Sequence, residues 1–397
     1  MPALRVASEP PLYLDACATT PLVQAAQRAM AEAQQHAWGN PSSLHGFGIA
    51  AAESLERSRQ RVAQRLGTSA ASLLFCSGAT ESVHLALLGA AAAASPGRVV
   101  ISAVEHPAVA AAARHLQRLG WTLATLPVDG QGVVQLEQLE ALLVPPTRLV
   151  SVVWGQSEVG AVQPIAAIGA RCRAAGVLFH TDAVQWAPHQ RIDFDQLPID
   201  LLSLTAHKLG GPRGIGALVL RPELHDRLQP QLGGGQQEAG LRAGTEPVVL
   251  AAGFAAALDE ASSAHDSGGS DRLAQRRDQL LEALLTLPGL QLSGPAPSSQ
   301  QRLPHHISLI AQSVSGEPLS GRRLVSALWR QGVAASSGSA CNAARSGSAA
   351  SPVLLAMGYS PALAAAGLRL SLGPWCQPEQ LQRVPAALEQ ALMACPS

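Results

Sequence analysis

Short apolar runs alternate with helix-forming stretches from about residue 70 to residue 220, and this alternation constrains the fold more than any other feature. Strands separated by helices are typical of βαβ units, in which parallel strands form a sheet with helices on both faces. The strands that the pattern predicts are Arg98 to Ser102, Leu149 to Trp154, Gly176 to His180, Asp200 to Leu204 and Ile215 to Leu220. The sequence therefore predicts an α/β fold with a large, mainly parallel sheet.

A chain of 397 residues is too long for one ordinary domain, so a second, smaller α/β domain is expected. The segment from Ala261 to Ser270 is rich in small residues, and we interpret it as part of the link between the domains. Beyond it, the pattern predicts helices over 272–286 and 321–331 and a strand near 307–310. We predict a large domain over 16–260 and a small domain formed by 1–15 and 261–397.

The charge balance excludes several classes of function. The 28 basic and 28 acidic residues cancel, which leaves no overall positive charge for nucleic acid or an anionic membrane. The longest apolar stretch, from Leu85 to Ala94, is far shorter than the roughly 20 residues of a membrane helix. The six cysteines form no C-x-x-C pair and the N-terminus does not resemble a signal peptide, so we predict no metal site and a cytoplasmic location.

Lys208 is the only lysine among the 28 basic residues, and all the others are arginines. An amine can lose its proton and attack a carbonyl, whereas a guanidinium stays protonated. Lys208 follows a predicted strand, has Thr205 and His207 beside it, and precedes a Gly-Gly-Pro turn. This neighbourhood suits pyridoxal 5'-phosphate (PLP), a cofactor that carries an aldehyde and a phosphate.

Polar side chains follow four of the predicted strands, and ligands of open α/β sheets bind at such carboxyl ends. These residues are Glu105-His106, Gln156-Ser157-Glu158, Asp182 and His207-Lys208. Asp182 could hold the pyridine nitrogen of PLP, and His106 could stack on the ring or move protons. The segment from Phe75 to Ser82 joins a strand end to a helix start and could bind the phosphate, although it also suits an ordinary helix cap.

Nine motifs, in order along the chain, resemble those of the PLP-dependent cysteine desulfurases of the NifS/IscS type, within the class V aminotransferases. The motifs are YLDACATTP from Tyr13, GNPSSLHGFG from Gly39, FCSGATES from Phe75, EHPAV from Glu105, HTDAVQ from His180, TAHK ending at Lys208, GGGQQEAGLRAGT ending at Thr245, SSGSAC ending at Cys341 and RLSLG from Arg369. The resemblance implies PLP fold type I and the conversion of L-cysteine to L-alanine. It also implies a partner that receives the sulfur, such as an iron–sulfur scaffold protein.

The same resemblance implies roles for individual residues. Lys208 would carry the cofactor, while Arg369 and Asn40 would bind the substrate. The contacts to the cofactor would come from Ala79, Thr80, His106, Ser157, Asp182, Gln185, Thr205 and His207, and His106 would also take part in catalysis. Thr245 would reach the cofactor phosphate from a second subunit, which implies a homodimer.

Cys341 is implied to be the nucleophile that takes the sulfur as a persulfide. It lies in the stretch from Ser336 to Pro352, which has almost no side chains able to pack, so we expect a mobile loop there. A thiol suits this step better than a hydroxyl because it can attack sulfur and then pass the sulfur on.

The sequence departs from the family pattern at two places. Gln156-Ser157 stands where two asparagines are usual, and Val83-His84 replaces a customary pair that includes an amide. Because serine reaches less far than asparagine, Ser157 is expected to weaken the tuning of the cofactor. Two alternatives therefore stay open, namely selenocysteine lysis or another β-elimination, and a weakly active desulfurase-like partner protein.

Overall fold

A computed structural model describes residues 10–338 and 350–395 of the chain. Cys341 and the central part of the predicted loop lie outside the described residues. The strands of the described residues are β1 (Leu12–Tyr13), β2 (Leu73–Cys76), β3 (Arg98–Ser102), β4 (Thr122–Leu126), β5 (Thr147–Val153), β6 (Leu178–Asp182), β7 (Leu201–Thr205), β8 (Gly216–Leu220), β9 (Leu290–Leu292), β10 (His306–Ala311), β11 (Val333–Ala334) and β12 (Gly367–Ser371).

Helices flank these strands along most of the described chain. They are α1 (Gln24–His36), α2 (Gly46–Arg65), α3 (Ala79–His84), α4 (Ala90–Ala92), α5 (Pro107–Arg118), α6 (Leu136–Leu143), α7 (Ile165–Ala174), α8 (Val248–Asp266), α9 (Gly269–Leu285), α10 (Gly321–Arg330), α11 (Pro352–Ala356), α12 (Pro361–Ala364), α13 (Pro378–Leu381) and α14 (Val384–Met393). A π-helical segment, Leu85–Gly89, joins α3 to α4 without a break, so this helix runs on from residue 79 to residue 92. No helix of residues 10–338 and 350–395 is both long enough and apolar enough to cross a membrane.

Seven strands form the large sheet in the order β2-β8-β7-β6-β5-β3-β4. All are parallel to one another except β8, which runs antiparallel to its neighbours β2 and β7. The predicted mixed α/β fold with a mainly parallel sheet is therefore confirmed, and the five predicted strands lie within two residues of the observed ones. The interior strands β7 and β8 are buried along their whole length because helices cover both faces of the sheet.

The hydrophobic core of the large sheet divides between its two faces. Val100 packs with Phe179 and α8 on one face, whereas its neighbours Val99 and Ile101 pack with α5 on the other. This alternation is the two-residue period of a strand, since successive side chains point to opposite sides. The sheet is therefore the middle of three layers. Helices pack on its two faces, and the strand ends are available to form a site.

A separate hydrophobic cluster surrounds a second sheet of three antiparallel strands, in the order β12-β10-β9. Leu12 and Leu14 belong to this cluster, together with residues from Leu273 to Cys395. Beside it, β1 pairs in parallel with β11. Our domain boundaries, 16–260 against 1–15 with 261–397, stay a prediction.

The segment from Ala261 to Ser270 is mostly helical, whereas the sequence pattern suggested an interruption between two helices. Helix α8 continues through most of it to Asp266, and α9 already begins at Gly269. The hydroxyl of Ser263 donates to the carbonyl of Asp259, so small polar residues are accommodated inside the helix. Only Ser267 and Gly268 separate the two helices, because Gly268 adopts a φ of 75° that ends the helical path.

Candidate active site

The carboxyl ends of β6 and β7 bring together the polar residues that the strand pattern predicted. Asp182 is the last residue of β6 and Thr205 the last residue of β7, and both are buried. A short 3₁₀ turn, Ala206–Lys208, follows β7 directly and places Lys208 at the same edge. His106 lies just beyond β3 at the N-cap of α5, where its Nδ1 accepts a hydrogen bond from the amide of Ala108 at 3.2 Å.

Asp182 and His106 are close enough to change each other's ionisation. Burial raises the pKa of Asp182, while the charge of His106 and the hydrogen bond from the amide of Val184, at 2.9 Å, act against that rise. Desolvation lowers the pKa of His106, and Lys208 acts in the same direction, while Asp182 opposes them. Asp182, His106 and Lys208 therefore influence one another's ionisation at this edge of the sheet.

The amine of Lys208 is held by the backbone of the first predicted motif. Its Nζ donates to the carbonyl of Cys17 at 2.5 Å and to the carbonyl of Ala18 at 2.7 Å. Gln185 donates to the same carbonyl of Cys17 at 3.0 Å. A cavity of 370 Å³ borders both Lys208 and Gln185 on the side of the site away from Asp182 and α3, which are not among its lining residues.

The start of α3 has the form of a phosphate cradle. A Cβ atom placed on Gly78 would meet only Oγ1 of Thr205, at 4.0 Å, so the space before the amides of Ala79 and Thr80 is open. Free amides at the start of a helix attract an anion. Glu81 stays clear of this space because it accepts hydrogen bonds from the amide of Ser77 and from Arg242.

His207 and Thr205 are held by hydrogen bonds to neighbouring residues. The Nδ1 of His207 lies 3.1 Å from the hydroxyl of Thr19, and burial lowers the pKa of His207 to about 4. The hydroxyl of Thr205 donates to the carbonyl of Ile215 at 3.2 Å. With the open cradle at α3, the buried carboxyl of Asp182 and the amine of Lys208, these residues fit PLP.

Arg369 reaches the site from β12 of the second sheet. Its Nη2 donates to Oδ1 of Asp15 at 2.7 Å, and its Nη1 donates to the carbonyl of Ser157 at 3.0 Å. The Nε2 of His306 donates to the same carbonyl, also at 3.0 Å. Ser157 therefore contributes its backbone to this part of the site, and the predicted contact between its side chain and the cofactor stays a prediction.

Asn40 is predicted to bind the substrate and Thr245 the cofactor of a second subunit. Both residues are exposed, and the side chain of Asn40 accepts a hydrogen bond from the amide of Ser42 within its own loop. Their predicted roles need a substrate or a second subunit, and these roles stay predictions. Cys341 lies outside the described residues.

Several residues of the site received no role from the sequence. Glu105 accepts from the amide of Val153 at 2.8 Å, and its Oε2 is buried with no hydrogen-bond partner in the described part of the chain. The Sγ of Cys17 lies 3.1 Å from Nε2 of His305. Asp15, Cys17 and Glu105 stand inside quoted motifs, so the signal was present, whereas nothing in the sequence connects His305 with Cys17.

Comparison with known proteins places this arrangement in a family. The family model for class V aminotransferases matches residues 12–384. The chain belongs to that family. It is 37% identical to the cysteine desulfurase IscS of Methylobacillus flagellatus, over 84% of this chain and 81% of the relative. The predicted resemblance to the NifS/IscS type is confirmed.

Two solved structures show the same likeness over nearly the whole chain. A NifS-like protein is 30% identical and superposes with a TM-score of 0.88, covering 97% of this chain and 100% of that one. The protein SspA, solved in complex with cysteine, is also 30% identical, with a TM-score of 0.78 over 92% of this chain and 100% of its own. The fold described above is therefore the NifS-like fold.

Proposed function

We propose that this protein is a PLP-dependent cysteine desulfurase that acts on L-cysteine. The observation that carries the proposal is the placement of one amine, that of Lys208, at the same edge as the buried carboxyl of Asp182 and the phosphate cradle at α3. An amine, an acid and an anion site at one sheet edge are the groups that PLP chemistry needs. The chain's family and its relatives support the same reaction.

In this proposal each residue has a defined task. Lys208 would anchor the cofactor through Nζ, Asp182 would pair with its ring nitrogen, and the amides of Ala79 and Thr80 would hold its phosphate. When bound, PLP withdraws electrons from the α-carbon of the amino acid. Arg369 grips the substrate carboxylate, since a guanidinium can hold a carboxylate through two parallel hydrogen bonds.

Proton transfer and sulfur transfer fall to three side chains. The Nζ of Lys208 takes the proton from the α-carbon of the substrate, and His106 moves protons at the rim of the site. The thiolate of Cys341 attacks the substrate sulfur, and the bond between that sulfur and Cβ breaks with its electron pair staying on carbon. The sulfur then remains on Cys341 as a persulfide, and the carbon takes a proton to give L-alanine. The persulfide then passes its outer sulfur to an acceptor protein with a reactive thiol.

Replacing Cys341 by alanine tests the proposal. The variant should still bind the cofactor and change its absorbance spectrum on addition of L-cysteine, because those steps use Lys208, Asp182 and Arg369. Persulfide and alanine formation should stop. Alanine and sulfide are assayed together. The control is Cys395→Ala, because Cys395 is a cysteine outside the site. Undiminished alanine production by Cys341→Ala would mean that another nucleophile takes the sulfur, whereas pyruvate and sulfide in place of alanine would favour the alternative, direct elimination.

A homodimer is part of the proposal, because Thr245 is expected to reach the cofactor of a second copy. An exposed apolar patch supports a partner surface: Trp38, Leu44, Phe47 and Ile49 are 60%, 95%, 59% and 49% exposed. The rings of Trp38 and Phe47 contact each other at a tilt of 34°, with their centroids 4.9 Å apart. We propose a second copy of this chain as its occupant. The cytoplasmic location stays a prediction.

A further inference from the structure

On one edge of the Arg369 guanidinium, only one of the two N–H donors forms a hydrogen bond. A guanidinium presents Nε–H and one Nη2–H in parallel, which is the pair that a carboxylate can bridge. In this protein Nη2 donates to Oδ1 of Asp15 at 2.7 Å. The Nε of Arg369 is buried and has no hydrogen-bond partner among residues 10–338 and 350–395. Asp15 therefore touches this edge through one donor and leaves the other unsatisfied.

The backbone around Asp15 fixes where its carboxylate stands. Asp15 forms a parallel β-bridge with Ser371, which lies two residues beyond Arg369 on β12. The amide of Ser371 donates to the carbonyl of Leu14 at 2.8 Å, and the hydroxyl of Ser371 accepts from the amide of Cys17 at 2.9 Å. With the chain pinned on both sides of Asp15, only its side chain is free to turn away from Arg369.

Burial explains why Arg369 needs a carboxylate when no substrate is present. The side chains of Arg369 and Asp15 are 8% and 19% exposed, so the pair is largely removed from water. A buried cation without a partner is strongly unfavourable. Asp15 supplies that partner, and the unsatisfied Nε is a second donor that a carboxylate bridging this edge would satisfy.

We propose that Asp15 is a displaceable stand-in for the substrate carboxylate. In the empty site it holds Arg369 through one hydrogen bond. The carboxylate of an incoming amino acid replaces it, satisfies both Nε and Nη2, and is in turn displaced when Asp15 returns as the product leaves. Asp15 is thus a positioning residue that sets substrate affinity. The inference rests on the proposed function, in which Arg369 binds the substrate carboxylate.

The first test measures binding without turnover. 3-Mercaptopropionate has the carboxylate and thiol of cysteine but no amine, so it cannot condense with the cofactor aldehyde. Its dissociation constant is measured by calorimetry on the cofactor-loaded, full-length protein. Asp15→Asn keeps the shape and removes the competing charge, and it should bind the probe about 3–10-fold more tightly than wild type, a difference of the size expected for one net hydrogen bond.

Asp259→Asn is the matched control. It makes the same chemical change in a carboxylate that pairs with Arg61 and Arg65 on α2, away from the site. The dissociation constant of this control should equal that of wild type. A value for Asp15→Asn equal to or weaker than that of wild type would overturn the inference.

Steady-state kinetics provide a second, independent readout. Asp15→Asn should lower KM for L-cysteine by about 3–10-fold, without raising kcat, because the product carboxylate is displaced more slowly. If Asp15 only held Arg369 in position, its replacement would instead raise KM, because Arg369 would no longer be positioned to bind the substrate. Asp15→Ala should change KM in the same direction as Asp15→Asn. The alanine variant replaces the asparagine variant in this test if the asparagine variant does not fold.

Arg369→Gln separates this inference from the proposed function. If the glutamine variant still binds 3-mercaptopropionate as wild type does, Arg369 does not bind the substrate carboxylate. That result would refute both this part of the proposed function and the role of Asp15. If Arg369→Gln loses binding while Asp15→Asn gains none, only the role of Asp15 is refuted. If Arg369→Gln loses affinity for the probe and Asp15→Asn gains affinity, the roles of both Arg369 and Asp15 are supported.

Discussion

The two halves of the candidate site differ in how their residues come together. At the edge of the large sheet, Asp182 and Thr205 end neighbouring strands whose register fixes their positions. Around Arg369, by contrast, Asp15 and Ser157 come from segments 354 and 212 positions away in the sequence. The first half depends on a repeated local pattern, and the second depends on how two separate hydrophobic clusters are placed against each other. Residues of the first kind can be located from a sequence, and those of the second need a structure.

The largest effect should come from the first half. Lys208→Arg keeps the positive charge but removes the amine that can join an aldehyde, so activity should fall to background, at least about 10³-fold. The measurement is borohydride reduction followed by peptide mass mapping. Wild type should carry the cofactor on Lys208 and the arginine variant should carry none. A stable adduct at another residue would show that the strand-end pattern selected the wrong amine.

Asp182→Asn should have the next largest effect. Asparagine cannot carry the negative charge that stabilises a protonated ring nitrogen, so kcat/KM for L-cysteine should fall by about 10²-fold or more. Asp200→Asn is the control, because Asp200 lies at the opposite end of the same sheet and accepts from the amide of Phe179. That control should change stability and leave kcat/KM near the wild-type value. Equal losses in the two variants would mean that Asp182 acts only on the fold.

Particular residues show why the sequence predicted one half better than the other. Lys208, Asp182 and His106 each follow a strand of a parallel sheet, and the convergence of such ends is a general rule. The pairing of Arg369 with Asp15 follows no local pattern, because it needs β12 to lie beside residues 14–17. The helical course of Ala261 to Asp266 was also missed, since small polar residues do not show that a helix continues.

Glu105 interacts electrostatically with Asp182 in the first half of the site, and its carboxyl group makes the stability of the protein depend on pH. Although part of the residue is exposed, its carboxyl group is enclosed, and burial raises the pKa of Glu105 from 4.5 to about 8. A raised pKa means that the folded protein binds the proton more tightly than the unfolded chain does. The resulting stabilisation is complete below pH 4.5 and is lost as the pH rises through about 8.

Glu105→Gln should therefore reduce the pH dependence of unfolding. Between pH 5 and pH 8.5 the free energy of unfolding of wild type should fall, relative to that of the variant, by about 1–4 kcal/mol. Thermal unfolding at several pH values measures this difference. Glu53→Gln, an exposed residue of α2, is the control and should follow wild type. If Glu105→Gln also follows wild type, the carboxyl group of Glu105 is solvated and the pKa shift is absent.

The smallest effect should come from Ser157→Asn, in the second half of the site. The contacts of Ser157 with Arg369 and His306 use its carbonyl, so a longer side chain leaves them in place. An asparagine could add one hydrogen bond to the cofactor, worth about 0.5–1.5 kcal/mol, and turnover should therefore rise by no more than about tenfold. Steady-state kinetics and the absorbance spectrum of the bound cofactor measure the change. Loss of cofactor binding would mean that the Ser157 side chain faces a space with no room for asparagine, and the roles that the family resemblance implies for this loop would then not apply to this protein.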